Sequence, residues 1–454
     1  DDSGNVVKAG EVLPLNCVSW FGLEGQFEPK DAANNPGGAP MELYLGNMWW
    51  ANSGAGTGRT IEQTMQEIVA QGVNLIRVPI APQTLDATNE QGIGDVQAGG
   101  VLKNHEDVRQ LNSRQALTDF IIAADKYDLN VIIDIHSCSN YLGWRAGDLE
   151  ASPPFVDADR QDYNYTREDY SCSFEGIGEG VTVQEYNEQL WKENLAEIAG
   201  LSKELGVDNI LGVDIFNEPW NYTWAEWKTL AESAYETISA VNDDMLIVVE
   251  GVGSSLKDGT LVEHGSADYT PNWGENLYGF ADAPLNIPKN RLILSPHTYG
   301  PSVFVQNHFL DKTQTECADL EGDAAGAAKC DIIIDATSLA KGWDEHFGYL
   351  REQGYAVLIG EFGGMMDWPL GADTYYQELW SHASTTVDKE WQTALVNYMD
   401  EKSIQGCYWS LNPESADTGG IYEHAHDAES NPAGWGEWKE MDPEKLSLLE
   451  KLWK

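Results

Sequence analysis

The sequence predicts a single (β/α)8 barrel, the TIM-barrel architecture, and two observations carry that prediction. Eight short apolar runs alternate along the chain with longer amphipathic stretches. Runs such as Val131–Ile135 and Ala356–Ile359 are nearly continuous in Val, Ile and Leu, which is typical of parallel strands covered on both faces. Because the alternation is repeated eight times, a closed barrel is favoured over an open doubly wound sheet.

The predicted strands and helices follow one another regularly. The strands lie at Leu15–Trp20, Val73–Pro79, Asn130–His136, Ile210–Asn217, Met245–Glu250, Arg291–His297, Tyr355–Glu361 and Ile404–Ser410. Helical periodicity is found at Thr60–Ala70, Ser113–Tyr127, Val183–Leu205, Trp224–Val241, Thr337–Gln353 and Glu390–Lys402. Between the fifth and sixth strands Gly, Pro and Asn are frequent, so we expect a shortened helix there, with a miscounted strand as the alternative.

Both ends of the chain carry short extensions. Residues 1–14 predict a hairpin ahead of the first strand, with a turn near Ser3–Asn5. Residues 422–454 predict an extension that ends in an amphipathic helix opening at Pro443. This helix is expected to pack on the outside of the barrel through Leu446, Leu449 and Leu452. No Ser/Thr/Pro-rich linker interrupts the sequence, so residues 1–454 are expected to form one domain.

The charge balance excludes several classes of partner. The chain has 27 Lys and Arg against 74 Asp and Glu, a formal net charge of −47, which would repel nucleic acid and anionic membranes. No run of about 18 apolar residues predicts a membrane span. The 17 Trp and 19 Tyr favour a packed fold over disorder. The sequence begins at Asp1 without an apolar segment, and we expect a mature, secreted, extracellular protein.

Six cysteines suit an oxidising compartment. Cys317 and Cys330 enclose a short loop and are an expected disulfide pair. Cys138 and Cys172 lie in the long loop that follows the third predicted strand and are a second expected pair. Cys17 and Cys407 lie inside apolar runs, where buried free thiols and a bridge both remain open.

Polar side chains gather where the predicted strands end. In barrels of this type the active site lies at the carboxyl ends of the strands. Six of the eight strands end in such residues: Arg77, His136, Asn217 with Glu218, His297 with Tyr299, Glu361 and Trp409. So many polar residues at one end of the barrel indicate a functional site, because a role in stability alone would not require them to be grouped there. The two glutamates predict paired-carboxylate chemistry, in which one protonated carboxyl group and one carboxylate cleave a glycosidic bond.

Together these motifs resemble glycoside hydrolase family five, the cellulase family of clan A. The likeness rests on Asn217–Pro219, His297–Tyr299, Glu361–Gly363 and Trp409, and it extends from Trp20–Gly22 to Ser410–Gly420. The last stretch is most similar to the bacterial-type endo-β-1,4-glucanase branch. The resemblance implies hydrolysis of β-1,4-glucosidic bonds in cellulose or a related β-glucan, by double displacement with retention of configuration. It implies neither a cofactor nor a metal.

The resemblance also implies roles for individual residues. Glu218 would be the general acid/base and Glu361 the nucleophile, with their carboxyl groups about 5–5.5 Å apart. Asn217 would bind the sugar 2-hydroxyl. The supporting residues are Arg77 and Tyr299 beside Glu361, His297 beside Glu218, His136 on the reacting sugar, and Trp409 as the platform below it.

Several other residues carry weaker expectations. Trp144 and Trp273 fall on predicted rim loops and are expected to line sugar subsites. For Glu250 a structural hydrogen bond is favoured over a role as a third site carboxylate. Asp134 and Asp214 lie within strands and are expected to satisfy buried polar groups. For the stretch Glu423–Asp427, which holds two His and two acidic residues, a solvated acidic loop is favoured over a metal site.

The mode of action stays open at the level of the sequence. The predicted loop from Cys138 to Val183 exceeds the usual length, and loops that long are usually functional. If it encloses the cleft, an exo-acting or cellobiose-releasing glucanase results; a β-mannanase is a further alternative of the same family. An inactive carbohydrate-binding barrel is the remote alternative. The expected partner is the polysaccharide alone, bound by a monomer.

The net charge of −47 predicts adaptation to saline surroundings, because salt screens like-charge repulsion over about 10 Å at 0.1 M. The melting temperature and the hydrolytic rate should hold or rise as NaCl is increased toward molar concentration. Thermal melts and activity assays across that range test this, and loss of activity would contradict it.

Overall fold

Eight parallel strands close into a barrel in the computed structural model. The structure describes residues 1–23, 61–80, 82–85, 87, 113–136, 188–424 and 438–453, except positions 257, 267, 273, 373, 414 and 416. The barrel strands are β3 (Cys17–Ser19), β4 (Leu75–Ile80), β5 (Asn130–Ile135), β6 (Ile210–Asp214), β7 (Leu246–Val249), β8 (Leu292–Leu294), β9 (Ala356–Phe362) and β10 (Gln405–Tyr408). They pair in chain order, and β10 closes the barrel against β3. All eight predicted strands are therefore confirmed, and so is the (β/α)8 barrel.

The helices follow the predicted periodicity closely. The described helices are Ile61–Ala70, Pro82–Leu85, Ser113–Lys126, Glu188–Leu205, Trp224–Ser239, Gly322–Ala327, Ala336–Trp343, Tyr349–Glu352, Thr374–Leu379, Val387–Lys402 and Pro443–Leu449. The predicted helix at Thr337–Gln353 is interrupted by a π-helical turn, Asp344–Gly348. Between β7 and β8 the described residues form only the 3-10 turns Tyr278–Phe280 and Lys289–Arg291, so the shortened helix is confirmed. None of the helices in the described ranges is long and apolar enough to cross a membrane.

Inside the barrel, an apolar layer lies below a polar one. The interior cluster is distinct from the larger apolar core that the strands form with the helices. Its members include Cys17, Leu75, Ile132, Val248, Ile293, Leu358 and Cys407. Two residues further along five of these strands stand Ser19, Arg77, Asp134, Glu250 and Ser295, all buried. Because side chains on a strand alternate between faces, residues two apart share a face. The polar layer thus lies on the same interior face, one step closer to the carboxyl ends of the strands.

A disulfide joins the first and last barrel strands. Cys17 and Cys407 are register partners on β3 and β10 and form a bridge, which settles the alternative that the sequence left open. The bridge Cys317–Cys330 is confirmed. Cys138 and Cys172 lie outside the described residues.

The N-terminal hairpin is present, but its turn was predicted at the wrong place. Strands β1 (Val7–Lys8) and β2 (Glu11–Val12) pair through a turn at Ala9–Gly10. Both turn residues have positive φ, as the favoured two-residue hairpin turns require. The segment Ser3–Asn5 forms a separate turn, because the Asp1 carboxylate accepts the backbone N–H groups of Ser3 and Asn5.

The C-terminal extension packs on the barrel helices. Strands β11 (Tyr422–His424) and β12 (Trp438–Met441) pair, and Asp442 then caps the helix Pro443–Leu449 by accepting two backbone N–H groups. Leu449 and Leu452 are buried in the large apolar core that the barrel strands form with the helices, and Leu446 packs against that core. The predicted contact is therefore confirmed. Leu448, which lies beside Leu449 in the sequence and was not predicted to take part, is buried as well.

The position of the two disulfides predicts their unequal contribution to stability. The Cys17–Cys407 bridge spans a sequence separation of 390 and the Cys317–Cys330 bridge one of 13. A longer loop loses more entropy when it is closed in the unfolded chain, and removing a native bridge costs about 2–5 kcal/mol. Cys17→Ala/Cys407→Ala should therefore lower the Tm more than Cys317→Ala/Cys330→Ala, measured by calorimetry. All four cysteines are buried, which matches the two double variants for lost packing. An equal or smaller decrease for the barrel pair would contradict the argument.

Candidate active site

A single buried guanidinium organises the polar layer. Arg77 on β4 is 1% exposed, and its Nη2 lies 3.0 Å from Asp134 Oδ2, 3.1 Å from Asp214 Oδ2 and 3.2 Å from Glu250 Oε1. Its Nη1 donates to Glu361 Oε1 at 2.5 Å. Burial alone would lower the pKa of Arg77, but the surrounding carboxylates raise it well above its ordinary value. The guanidinium therefore stays charged and holds the carboxylates of four strands together. Asp134 and Asp214 satisfy a buried polar group, as the sequence predicts.

Glu361 on β9 is the most strongly held carboxylate. Tyr299 Oη donates to its Oε2 at 2.5 Å, opposite the bond from Arg77 to Oε1. His297 Nδ1 and His136 Nδ1 lie 3.7 Å and 3.6 Å from its two oxygens. Burial would raise the pKa of Glu361, yet the charges of His297, Arg77 and His136 and the Tyr299 hydroxyl outweigh it and lower that pKa to about 2. Glu361 is therefore a fixed, ionised carboxylate.

Glu218 follows β6 and faces Glu361 across the mouth of the barrel. Its backbone has a positive φ of 45°, and its N–H donates to Glu250 Oε2 at 2.7 Å. Its carboxylate Oε1 lies 3.1 Å from His297 Nδ1. The side chain is 16% exposed against 5% for Glu361, so the two carboxyl groups differ in their access to solvent. Glu250 makes the structural hydrogen bond that was favoured for it.

The two catalytic candidates are close neighbours. One carboxylate oxygen of Glu218 and one of Glu361 lie within 4.8 Å of each other, and a nitrogen of His297 lies within the same distance of both. His297 also approaches Glu250, with Nε2 at 3.1 Å from Oε1. Burial would lower the pKa of His297, but Glu250, Glu361 and Glu218 raise it well above its ordinary value. The neighbouring carboxylates therefore favour the protonated form of the ring.

The same crowding makes other carboxyl groups of the site harder to ionise. Burial raises the pKa of Asp214 to about 7 against the opposing charge of Arg77, and the charge of Asp134 adds to the increase. Burial likewise raises the pKa of Glu250 well above its ordinary value. One guanidinium cannot neutralise four buried carboxylates. Protonation of groups such as Asp214 and Glu250 reduces the negative charge that Arg77 and His297 leave uncompensated.

An aromatic stack borders the carboxylates. His136 follows β5, and its ring lies parallel to that of Trp409 with centroids 5.3 Å apart; Trp409 also stacks on Phe21 at 5.4 Å. His136 Nδ1 lies 2.8 Å from Asp134 Oδ2, which fixes the orientation of the imidazole. Burial would lower the pKa of His136, but the charge of Asp134 raises it overall. Phe21 belongs to the segment Trp20–Gly22 that the sequence singled out, without a role.

Within the described ranges, two groups of side chains bring nitrogen and oxygen atoms near enough to suggest a metal site. They are Asp214, Glu250 and His297, and Glu218, His297 and Glu361. Both depend on His297, whose ring nitrogens are each 3.1 Å from a carboxylate oxygen, Nδ1 from Glu218 Oε1 and Nε2 from Glu250 Oε1. Because each ring nitrogen already faces a carboxylate, the geometry fits an imidazole that orients carboxyl groups through hydrogen bonds.

The structure therefore brings eight of the ten predicted site residues to one rim. They are Arg77, His136, Asn217, Glu218, His297, Tyr299, Glu361 and Trp409. Trp144 and Trp273 lie outside the described residues, as do positions 425–427 of the acidic stretch. Asp134 and Asp214 prove to be neighbours of the site, and their identical register on β5 and β6 explains why both reach Arg77.

Comparison with known proteins agrees with this geometry. The family model described as cellulase (glycosyl hydrolase family 5) matches residues 34–415. Endoglucanase C of Cellvibrio japonicus is 56% identical over 460 residues, which cover 99% of this chain and 61% of that protein. The chain thus spans about three-fifths of the length of this relative.

Solved structures show the same fold. The catalytic domain of the major endoglucanase of Xanthomonas campestris pv. campestris is 27% identical with a TM-score of 0.61, covering 100% of this chain and 98% of that one. A cellotetraose complex of an endocellulase variant from Pyrococcus horikoshii is 25% identical with a TM-score of 0.61, covering 99% of this chain and 95% of that one. With the family match over most of its length, this chain belongs to the cellulase family, glycosyl hydrolase family 5.

Proposed function

We propose that this chain is a retaining endo-β-1,4-glucanase that hydrolyses cellulose or a related β-glucan. The observation that carries the proposal is the pair Glu218 and Glu361, with carboxylate oxygens within 4.8 Å of each other. Retaining glycosidases have carboxyl groups about 5–5.5 Å apart, whereas inverting enzymes need about 6.5–9.5 Å to admit a water molecule. The names of the relatives, endoglucanase and endocellulase, support the β-1,4-glucan substrate and the endo mode.

Glu361 acts as the nucleophile. Its lowered pKa, about 2, keeps it ionised at the pH of any ordinary medium. Arg77 and Tyr299 hold one oxygen each, so the carboxylate has a single orientation toward the anomeric carbon. Attack breaks the glycosidic bond and forms a covalent glycosyl ester, which water then hydrolyses.

Glu218 acts as the acid and then as the base. It is the more exposed of the two carboxyl groups, and it therefore lies toward the leaving group and the solvent that replaces it. In the first step it gives its proton to the departing oxygen; in the second it accepts a proton from the attacking water. His297 orients the carboxyl group through the contact at 3.1 Å.

Asn217, Trp409 and His136 bind the reacting sugar. Arg77 Nη2 donates to Asn217 Oδ1 at 3.0 Å, which directs the amide Nδ2 as a donor toward the 2-hydroxyl group. Trp409 offers the aromatic platform for the sugar ring, beside the parallel ring of His136. Trp144 and Trp273 remain proposed subsite residues.

The proposal extends to the setting of the enzyme. A relative from Xanthomonas campestris is named the major extracellular endoglucanase, and secretion of the present chain as one catalytic domain, acting as a monomer, fits with its disulfides. The net charge of −47 adds tolerance of high salt to the proposal.

Variants of the two glutamates should separate their roles. Glu218→Ala should lose hydrolysis of cellohexaose by roughly 10²–10⁴-fold, the usual contribution of a general acid–base. It should still form the covalent intermediate from dinitrophenyl cellobioside, whose leaving group needs no proton. Glu361→Ala should lose activity on both substrates by roughly 10⁴–10⁶-fold. Release of dinitrophenolate, followed in a stopped-flow burst, measures the difference.

Assays of the wild-type enzyme test which polysaccharide it prefers and whether it cuts internally or from chain ends. It should lower the viscosity of carboxymethylcellulose and cut cellohexaose internally, with little release from mannan. Release of cellobiose alone would favour exo action, and preference for mannan a β-mannanase. Wild-type hydrolysis by Glu361→Ala would overturn the assignment altogether.

Removal of the Tyr299 hydroxyl should move the acidic limb of the pH profile. Tyr299→Phe deletes a hydrogen bond to a charged acceptor, worth about 1.5–3 kcal/mol. Because that bond favours the ionised form of Glu361, its loss raises the pKa of Glu361 from about 2 toward its ordinary value. The acidic limb of kcat/KM should therefore shift to higher pH, measured between pH 3 and 7.

Tyr398→Phe is the matched control for this shift. Tyr398 is also a buried tyrosine whose hydroxyl donates to a carboxylate, Asp344 Oδ1, at 2.7 Å, away from Glu361. Its acidic limb should coincide with that of the wild type. An unchanged limb in Tyr299→Phe, or an equal shift in both variants, would refute the explanation.

A further inference from the structure

A buried pair of titratable side chains lies behind the active site. Glu275 and His346 are both unexposed, and Glu275 Oε1 is 2.6 Å from His346 Nδ1. The pair stands apart from the carboxylates that surround Arg77. Burying a carboxylate and an imidazole together is costly unless both are held in place by partners, so their surroundings indicate what they do.

The second oxygen of Glu275 leads to the nucleophile. Glu275 Oε2 accepts the backbone N–H of Asn272 at 3.2 Å and its side-chain Nδ2 at 3.4 Å. Asn272 Nδ2 also donates to the backbone carbonyl of Tyr299 at 3.2 Å. Tyr299 in turn donates its hydroxyl to Glu361 Oε2 at 2.5 Å. Hydrogen bonds therefore link Glu275 to the main chain of Tyr299, and the side chain of Tyr299 reaches Glu361.

The segment 274–277 is held at its far end as well. The N–H of Leu277 donates to the carbonyl of His346 at 3.2 Å. His346 itself belongs to the π-helical turn Asp344–Gly348, an irregularity that frequently marks functional positions in helices. Both the side chain and the backbone of His346 thus fix this segment.

The same segment also contacts the residues that support Glu218. Gly274 has a φ of +75°, and a Cβ atom built there would meet Glu250 Oε2 at 2.7 Å. Its carbonyl accepts the N–H of Gly251 at 2.8 Å. Glu250 Oε2 accepts the N–H of Glu218. The segment therefore lies between the groups that support Glu218 and those that support Glu361.

We propose that Glu275 and His346 form a positioning pair for the hydrolytic reaction, acting through Asn272 on the main chain of Tyr299. The pair holds the tyrosine so that its hydroxyl stays at hydrogen-bond distance from Glu361 as the nucleophile attacks. Small errors of position at reacting groups have large kinetic effects, so this support acts on kcat more than on KM. The inference rests on the proposed function of Glu361.

The test is a double-mutant cycle between Glu275→Gln and Tyr299→Phe, assayed on cellohexaose. Glu275→Gln alone should reduce kcat roughly 10-fold, with KM changed by less than about twofold. In the Tyr299→Phe background the same substitution should change kcat by less than about twofold, because the hydroxyl that the pair positions is gone. Equal losses in both backgrounds would overturn the proposal.

Two further variants exclude a merely structural explanation. Asp344→Asn removes a carboxylate charge two positions from His346, where Asp344 bonds Tyr398 and Lys402; it should lower the Tm and leave kcat unchanged. Asn272→Leu keeps the size of the side chain and removes the donor to Tyr299, and it should reproduce the kcat loss and its dependence on Tyr299. If Glu275→Gln does not fold, Asn272→Leu alone tests whether the contact with Tyr299 affects kcat. A kcat loss that follows the Tm across all variants, or normal kcat in Asn272→Leu, would overturn the proposal.

The outcome is separable from that for the proposed function. If Glu361→Ala retains hydrolysis, the nucleophile is wrongly assigned and the proposed function fails. If Glu361→Ala is inactive while Glu275→Gln and Asn272→Leu behave as wild type, only the positioning pair fails.

Discussion

The burial of Arg77 among four carboxylates is the constraint on which the rest of the site depends. Removing an ion from water costs several kcal/mol even after the protein relaxes, and here five ionisable groups share one interior layer. The arrangement is tolerable because the guanidinium offers several donors in one plane and each carboxylate comes from a different strand. The closed barrel brings those strands together, so fold and site require each other.

This constraint divides the carboxyl groups by how easily they ionise. Arg77, His297 and Tyr299 all favour the ionised form of Glu361, whereas Asp214 and Glu250 have raised pKa values. The net charge of −47 acts on every acidic group in the same direction, and it therefore cannot produce such a division. Local partners produce it. Contacts within a few ångströms therefore decide which carboxyl groups ionise more easily, whereas salt screens the longer-range field of the surface charge.

Much of this could be predicted from the sequence, for identifiable physical reasons. Strands such as Asn130–Ile135 are covered on both faces and leave continuous apolar runs, and Glu218 and Glu361 stand where two such runs end. The helix Gly322–Ala327 was not predicted, because its glycines resemble a loop. The turn near Ser3–Asn5 was misplaced because the Asp1 side chain builds a turn of its own. Glu275 and His346 are 71 positions apart, and no local pattern indicates their contact.

The bridge between Cys17 and Cys407 changes the connectivity of the molecule as well as its energetics. It closes a covalent ring with a sequence separation of 390 between the two cysteines. A single cut in any loop between these residues opens the ring without dividing the molecule, since both fragments remain joined through the sulfur atoms. All eight strands have at least part of their length inside this ring, and Glu218 and Glu361 both lie within it. In surroundings that contain proteases, a nicked enzyme of this design stays one molecule, with its barrel strands still tethered to one another.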